Sequence, residues 1–232
     1  MLKAPRSTPK EMLLLETGCI PFRELIRKRR ILFLHYILNE KEDSMIKKFL
    51  MKQKESKKSK DWINQVLSDF QELDLVVGFE DIKMMRKSGL KIMLNEAIKK
   101  KAFVDLVQKK KNHSKVMKIK HERLEMQKYL KASNFKIEIE EKQEIFKMRS
   151  RVSDVKMNFK GKYENLECDI CKNEYETQIH LIECNEINKG KKEYGKPPDY
   201  EEMLETSVQN QSKIVRHFFT KHGYKKKMED LK

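Results

Sequence analysis

The sequence CDICKNEYETQIHLIEC, Cys168 to Cys184, holds three of the chain's four cysteines and one of its six histidines, in the spacing C-x2-C-x8-H-x3-C. Two thiols separated by two residues sit on one tight turn and reach a common ion. His180 and Cys184 stand four apart, which on a helix places them on one face about a turn from each other. Two such pairs closing together supply three sulfurs and one nitrogen, the donor set of a closed, four-coordinate structural zinc site. Cys168, Cys171, His180 and Cys184 are therefore the predicted zinc ligands, and four protein donors leave no position for a catalytic water. The competing reading is three ordinary buried thiols and a helix-face histidine. A disulfide framework fits less well, because three cysteines cannot all pair and Cys19 lies far off in an apolar segment.

Outward from this stretch the charge changes sign. From Glu164 to Glu205 twelve acidic residues stand against five basic ones, a net −7, whereas the whole chain carries +16, so the remainder holds +23. Between the first and last of these cysteines Lys172 is the only cation and Tyr175 the only aromatic. A knuckle that grips nucleic acid itself offers cations and stacking rings. The basic excess instead lies in runs upstream. Arg27, Arg29 and Arg30, then Lys99, Lys100 and Lys101, then Lys109, Lys110, Lys111 and Lys115 are the predicted contacts to RNA or DNA phosphates. The competing reading of such runs is a solvated helix face.

Seven Gly and five Pro in 232 residues, with 38% charged, predict an all-α chain: an irregular multi-helix assembly with a small zinc-binding CCHC segment near the C-terminus. Within residues 1 to 20, a polar start is followed by EMLLLETGC (Glu11–Cys19), which reads as one short helix closed near Gly18. Pro21 opens a longer one, whose inward face is read from Phe22, Leu25, Ile26, Phe33, Tyr36 and Ile37, broadened by Ile31, Leu32 and Leu34. Ser44 heads a helix with Met45, Ile46, Phe49 and Leu50 inward, and Gln53–Lys60 reads as a linker. From Asp61, the residues Trp62, Ile63, Val66, Leu67, Phe70 and Leu73 recur at helical spacing. A short helix around Ile82 precedes a long one from Leu90 to Val107. His113 and His121 read as surface residues. Leu124, Met126, Tyr129 and Leu130 suggest a helix, Phe135 to Ile139 alternate like a strand, and Ile145, Phe146 and Met148 return to helical spacing. Beyond the cysteines Asp199 and Glu202 look like a capping pair for C-terminal helices. Composition thus divides the chain into N-terminal helices (1–52), a basic helical region (53–160), the CCHC segment (161–190) and C-terminal helices with a basic tail (191–232).

Only short apolar runs occur, so no membrane span is expected, and Leu13–Leu15 is too short for a secretory signal. A nuclear or cytoplasmic setting fits the cysteine usage. No glycine-rich phosphate loop, nucleophile elbow or Ser/His/Asp arrangement is present, and no catalytic residue is assigned.

Six short pieces occur in a telling order: TPKEMLLLETG (Thr8–Gly18), Arg29-Arg30 leading into Phe33-Leu34, His113-Ser114-Lys115, Met126-Gln127-x-Tyr129-Leu130, RSRVSDVKMNF (Arg149–Phe159) and TQIHLIEC (Thr177–Cys184). Together, over about residues 8 to 220, they resemble the region that follows the polymerase palm in the reverse-transcriptase polyprotein of non-LTR (LINE-type) retrotransposons. The resemblance implies an RNA-directed DNA polymerase that copies element RNA at a cleaved target site and binds both RNA and DNA. The Asp-Asp dipeptide of such a polymerase occurs nowhere in this chain. The expectation is a post-polymerase portion or truncated copy, not an enzyme alone, with an upstream polymerase domain in cis or in trans as a partner. Its expected role is nucleic-acid binding through the basic helices. The alternative is a zinc-stapled protein-interaction or structural module whose lysines serve solubility.

Overall fold

The computed structural model describes residues 4–56, 61–113, 116–117, 119–131, 139–153 and 155–188. Among these residues the protein is all-α. In chain order the helices are α1 (Lys10–Thr17), α2 (Phe22–Leu38), α3 (Met45–Ser56), α4 (Trp62–Glu72), α5 (Phe79–Met84), α6 (Lys87–Lys110), α7 (Ile139–Arg149), α8 (Gln178–Glu183) and α9 (Asn185–Asn188). Single-turn 3-10 geometry appears at Lys128–Leu130, and a kinked 3-10 segment at Lys156–Lys162. Isolated bridges, Thr17 with Met126 and Glu167 with Tyr175, stand where strands would be. No described helix is long and apolar enough to cross a membrane. The alternation from Phe135, the capping pair at Asp199 and Glu202, and the C-terminal helices and tail lie outside the described residues.

The chain forms two compact units, Cys19–Val107 and a second made of Met1–Gly18 with Gln108–Lys232. These divisions cut across the four stretches drawn from composition.

In the unit Cys19–Val107, α6 supplies Leu90, Leu94, Ile98, Ala102 and Leu106, an unbroken four-residue repeat that is buried throughout. Ile63, Val66 and Phe70 of α4 and Ile31, Leu34 and Leu38 of α2 join the first three of these in one core. Here the expectation for α2 holds for Ile31, Leu34 and Ile37, all buried, and needs correcting for five other residues. Phe22 is 74% exposed, and Leu25, Ile26, Phe33 and Tyr36 also face out. The face turned inward is Glu24, Arg27, Ile31, Leu34 and Leu38, spaced three and four apart. Both stripes of this helix are apolar enough to be buried, so periodicity could not choose between them. Arg27, on the inward side, is 3% exposed, and its guanidinium reaches Glu24 at 2.7 Å, Glu72 at 3.2 Å and Asp69 at 3.3 Å. A buried cation is tolerated only when it is paired in this way. Likewise α3 turns Leu50 inward but leaves Met45 and Phe49 exposed, and it continues to Ser56 where a linker had been expected from Gln53.

In the other unit, Met12 of α1, Tyr129, and Ile145, Phe146 and Met148 of α7 share a core with Cys168, Leu181, Ile182 and Cys184. The helix expected across Leu124–Leu130 shrinks to one 3-10 turn. The reason lies in where its backbone bonds go. The Gln127 N–H donates to the Glu16 carbonyl at 2.9 Å, and Met126 bridges Thr17, so this segment runs alongside the end of α1 instead of coiling on itself. Gly18 permits the approach. It ends α1 at φ 67°, and a β-carbon there would lie 2.3 Å from the Met126 nitrogen.

Candidate metal centre

Each half of the cysteine stretch is shaped by its own local bonds. The Cys168 N–H donates to the Glu174 carbonyl at 2.7 Å, and the Cys168 carbonyl accepts from the Lys172 N–H at 2.9 Å. Lys172 takes φ 55°, the left-handed conformation that folds the C-x2-C turn back on itself. On the other side Thr177 caps α8, its hydroxyl oxygen accepting the His180 N–H at 2.9 Å. Cys184 ends the same helix, its N–H donating to the His180 carbonyl at 2.6 Å.

These two halves bring Cys168, Cys171, His180 and Cys184 together, with one donor atom from each, all within 4.8 Å of one another. The predicted set is thus a Cys3His group positioned to hold a metal ion. Cys171 Sγ lies 3.2 Å from His180 Nε2, and Glu174 Oε2 lies 3.1 Å from His180 Nδ1. Burial pushes the Cys168 thiol up to about 11, whereas the Asn173 N–H beside Cys171 helps bring that thiol down to about 7. Around this group the segment is tied to the rest of its unit. Lys156, itself buried, donates from Nζ to the Glu167 carbonyl at 2.8 Å and to Asp169 at 2.5 Å, gripping both neighbours of Cys168. The Gln178 amide donates to the Met148 carbonyl at 2.6 Å. Cys168 and Cys184 therefore belong to the core that also holds Phe146 and Tyr129.

The predicted phosphate contacts fare unevenly. Arg29, Lys99, Lys100, Lys109 and Lys111 are exposed. Arg30 is half-buried, held by Asp69 at 2.7 Å and Gln65 at 3.0 Å, and Lys101 stands between Asp105 at 3.4 Å and Glu72 at 3.8 Å. Two of the ten are buried. Arg27 is enclosed by the three carboxylates already described. Lys110 is 4% exposed, with its ammonium donating to the Ile119 carbonyl, and burial followed by the nearby Arg149 lowers its pKa. Lys115 lies outside the described residues.

One cluster escaped the sequence reading altogether. Glu16, fully buried, accepts hydrogen bonds from Tyr129 Oη at 2.7 Å and from Arg149 Nε at 3.0 and 3.1 Å. His121 Nε2 stands 2.9 Å from the same carboxylate, its side chain wholly buried, so the surface placement expected of it is wrong. Burial alone would raise the Glu16 pKa, but Arg149, His121 and Tyr129 outweigh it and hold the carboxyl below its ordinary value. An ionised carboxylate only accepts, so His121 donates through Nε2. Burial depresses the His121 pKa despite Glu16, and burial together with Glu16 pushes the Tyr129 hydroxyl well up. The four residues lie up to 133 positions apart in sequence, and no local spacing could have linked them. His113 also finds a carboxylate, Glu11 at 3.3 Å.

Compared with known proteins, the chain matches no protein family, no curated protein and no solved structure.

Proposed function

We propose that this chain is a zinc-stapled helical region that binds the backbone of RNA or DNA, of the kind that follows the polymerase in LINE-type reverse transcriptases, and that it performs no catalytic step itself. The observation that carries the reading is the Cys3His group set into the core of a basic, helical protein. Three thiolates and an imidazole in a closed set suit tetrahedral zinc better than the harder divalent ions. Bonds of about 2.3 Å at tetrahedral angles put two thiolates roughly 3.8 Å apart. Donor atoms already within 4.8 Å need only small side-chain shifts to meet that requirement. Zinc would bind the sulfurs as thiolates, displacing the protons that burial favours on Cys168. Its contribution here is structural: it clamps the C-x2-C turn to α8.

Glu16, Tyr129 and Arg149 come from three of the six sequence pieces of the resemblance and meet in one buried network. Nucleic-acid binding is supported by Lys87, Lys91, Lys99 and Lys100 on α6, exposed and, among the described residues, without a carboxylate partner. Such cations contribute through counterion release, with a log–log salt slope of about −0.7 per phosphate for single strands. Lys99→Gln with Lys100→Gln should therefore flatten the salt dependence of binding to a single-stranded RNA by roughly 1.4 units. Surface changes of this type alter stability by no more than about 0.5 kcal/mol each. Binding identical to wild type at every salt concentration would remove Lys99 and Lys100 from the interface.

The exposed stripe of α2, with Phe22, Ile26, Phe33 and Tyr36, favours a second reading, a protein-interaction module. Salt-insensitive or absent RNA binding by the wild-type chain would favour that one.

A further inference from the structure

The metal set has a carboxylate beside it that is not a ligand. Glu174 occupies the hinge between the two halves of the site. Its backbone carbonyl accepts the Cys168 N–H at 2.7 Å, and its side chain meets His180 Nδ1 at 3.1 Å. One residue thus touches a ligand on the C-x2-C turn through its backbone and the ligand on α8 through its side chain. We infer that Glu174 is the positioning residue of this site, holding His180 in the tautomer and ring orientation that offers Nε2 to the metal.

The argument rests on donor and acceptor chemistry. A carboxylate only accepts, so the imidazole nitrogen facing it must carry the proton. In a neutral imidazole the other nitrogen then presents its lone pair. That nitrogen, Nε2, is the one 3.2 Å from Cys171 Sγ, on the side where the sulfurs gather. The ring has few other ways to turn. The His180 backbone is held by the Thr177 cap, and its side chain is 9% exposed. Donation from Nδ1 to a carboxylate also makes Nε2 a better ligand, and loss of such a partner typically weakens metal binding about tenfold to a hundredfold. Glu174 is 72% exposed, so solvent screens its charge. Its contribution is therefore mainly the acceptor geometry, which the glutamine carbonyl can reproduce.

This inference depends on the zinc reading, and the test separates the two. Zinc affinity of the full chain is measured by competition with a chromophoric chelator for wild type, Glu174→Gln and Glu174→Ala, with far-UV circular dichroism reporting folding. Glu174→Ala should bind zinc about tenfold more weakly, and Glu174→Gln close to wild type. In the zinc-loaded wild type, nitrogen-15 NMR of the histidines should show His180 protonated at Nδ1 and metal-bound at Nε2. Wild-type protein that takes up no zinc would end the zinc reading and this inference with it. If wild type binds zinc, an alanine variant of equal affinity or a His180 bound through Nδ1 overturns the positioning role alone. A glutamine variant as weak as alanine would overturn it as well, since charge and not geometry would then be at work. Should Glu174→Ala fail to fold, the glutamine variant and the NMR signature still decide.

Discussion

Glu16→Ala is the sharpest test of what holds the unit Met1–Gly18 with Gln108–Lys232 together. The substitution removes the one acceptor shared by Tyr129, Arg149 and His121. It takes the Glu16 carboxylate away from the Arg149 guanidinium, which is 1% exposed. Breaking a buried ion pair by deleting one partner costs about 3–5 kcal/mol. At roughly 1.4 kcal/mol per tenfold, opening of this core should become about a hundredfold to several thousandfold more frequent. Hydrogen exchange followed by mass spectrometry reads this directly in peptides from α7, whose Ile145, Phe146 and Met148 belong to the affected core. Trp62, the chain's only tryptophan, lies in α4 and reports the Cys19–Val107 core by fluorescence in the same samples. The network also fixes a pH dependence. The Glu16 carboxyl is held below its ordinary 4.5, so the stability it lends is complete above that pH and is lost as pH falls through the folded value. His121 is held below its ordinary 6.5, so below that pH the unfolded chain takes up the proton first and the folded core weakens. After correction for intrinsic exchange, α7 protection should fall from pH 7 to pH 5, by at most about 1.4 kcal/mol per pH unit for this one proton. His121→Gln, which keeps a donor but does not titrate, should remove that sensitivity. Exchange of α7 in Glu16→Ala indistinguishable from wild type would refute the reasoning.

Two further outcomes follow from the same packing. Lys109→Gln should leave stability within about 0.5 kcal/mol of wild type in urea denaturation. Lys110→Gln should cost about 1.5–3 kcal/mol by withdrawing the charged donor to the Ile119 carbonyl, and equal effects would place Lys110 on the surface after all. Cys171→Ser should lose the metal, measured by elemental analysis of the purified protein. Because Cys168 and Cys184 share a core with Tyr129 and Phe146, it should also raise protease cleavage in α7 as well as around Glu167–Glu186. Cleavage confined to the cysteine stretch would mean a self-contained knuckle.

The local parts of this protein were legible in its sequence. The C-x2-C-x8-H-x3-C spacing located the metal set, because a two-residue turn and a helical i, i+4 pair fix their donors without help from distant residues. The glycine that ends α1 and the long helix from Leu90 were readable for the same reason. Tertiary structure decided which side of α2 turns inward, and on that side Arg27 is paired with Asp69 and Glu72 of α4. It decided that Lys110 and His121 are interior residues, since each is buried by a partner far along the chain or beyond a turn. It also decided that the metal set stands in a shared core instead of on a separate knuckle. A charged side chain reads as surface from its own chemistry, and only the arrival of its counter-charge in three dimensions makes burial affordable.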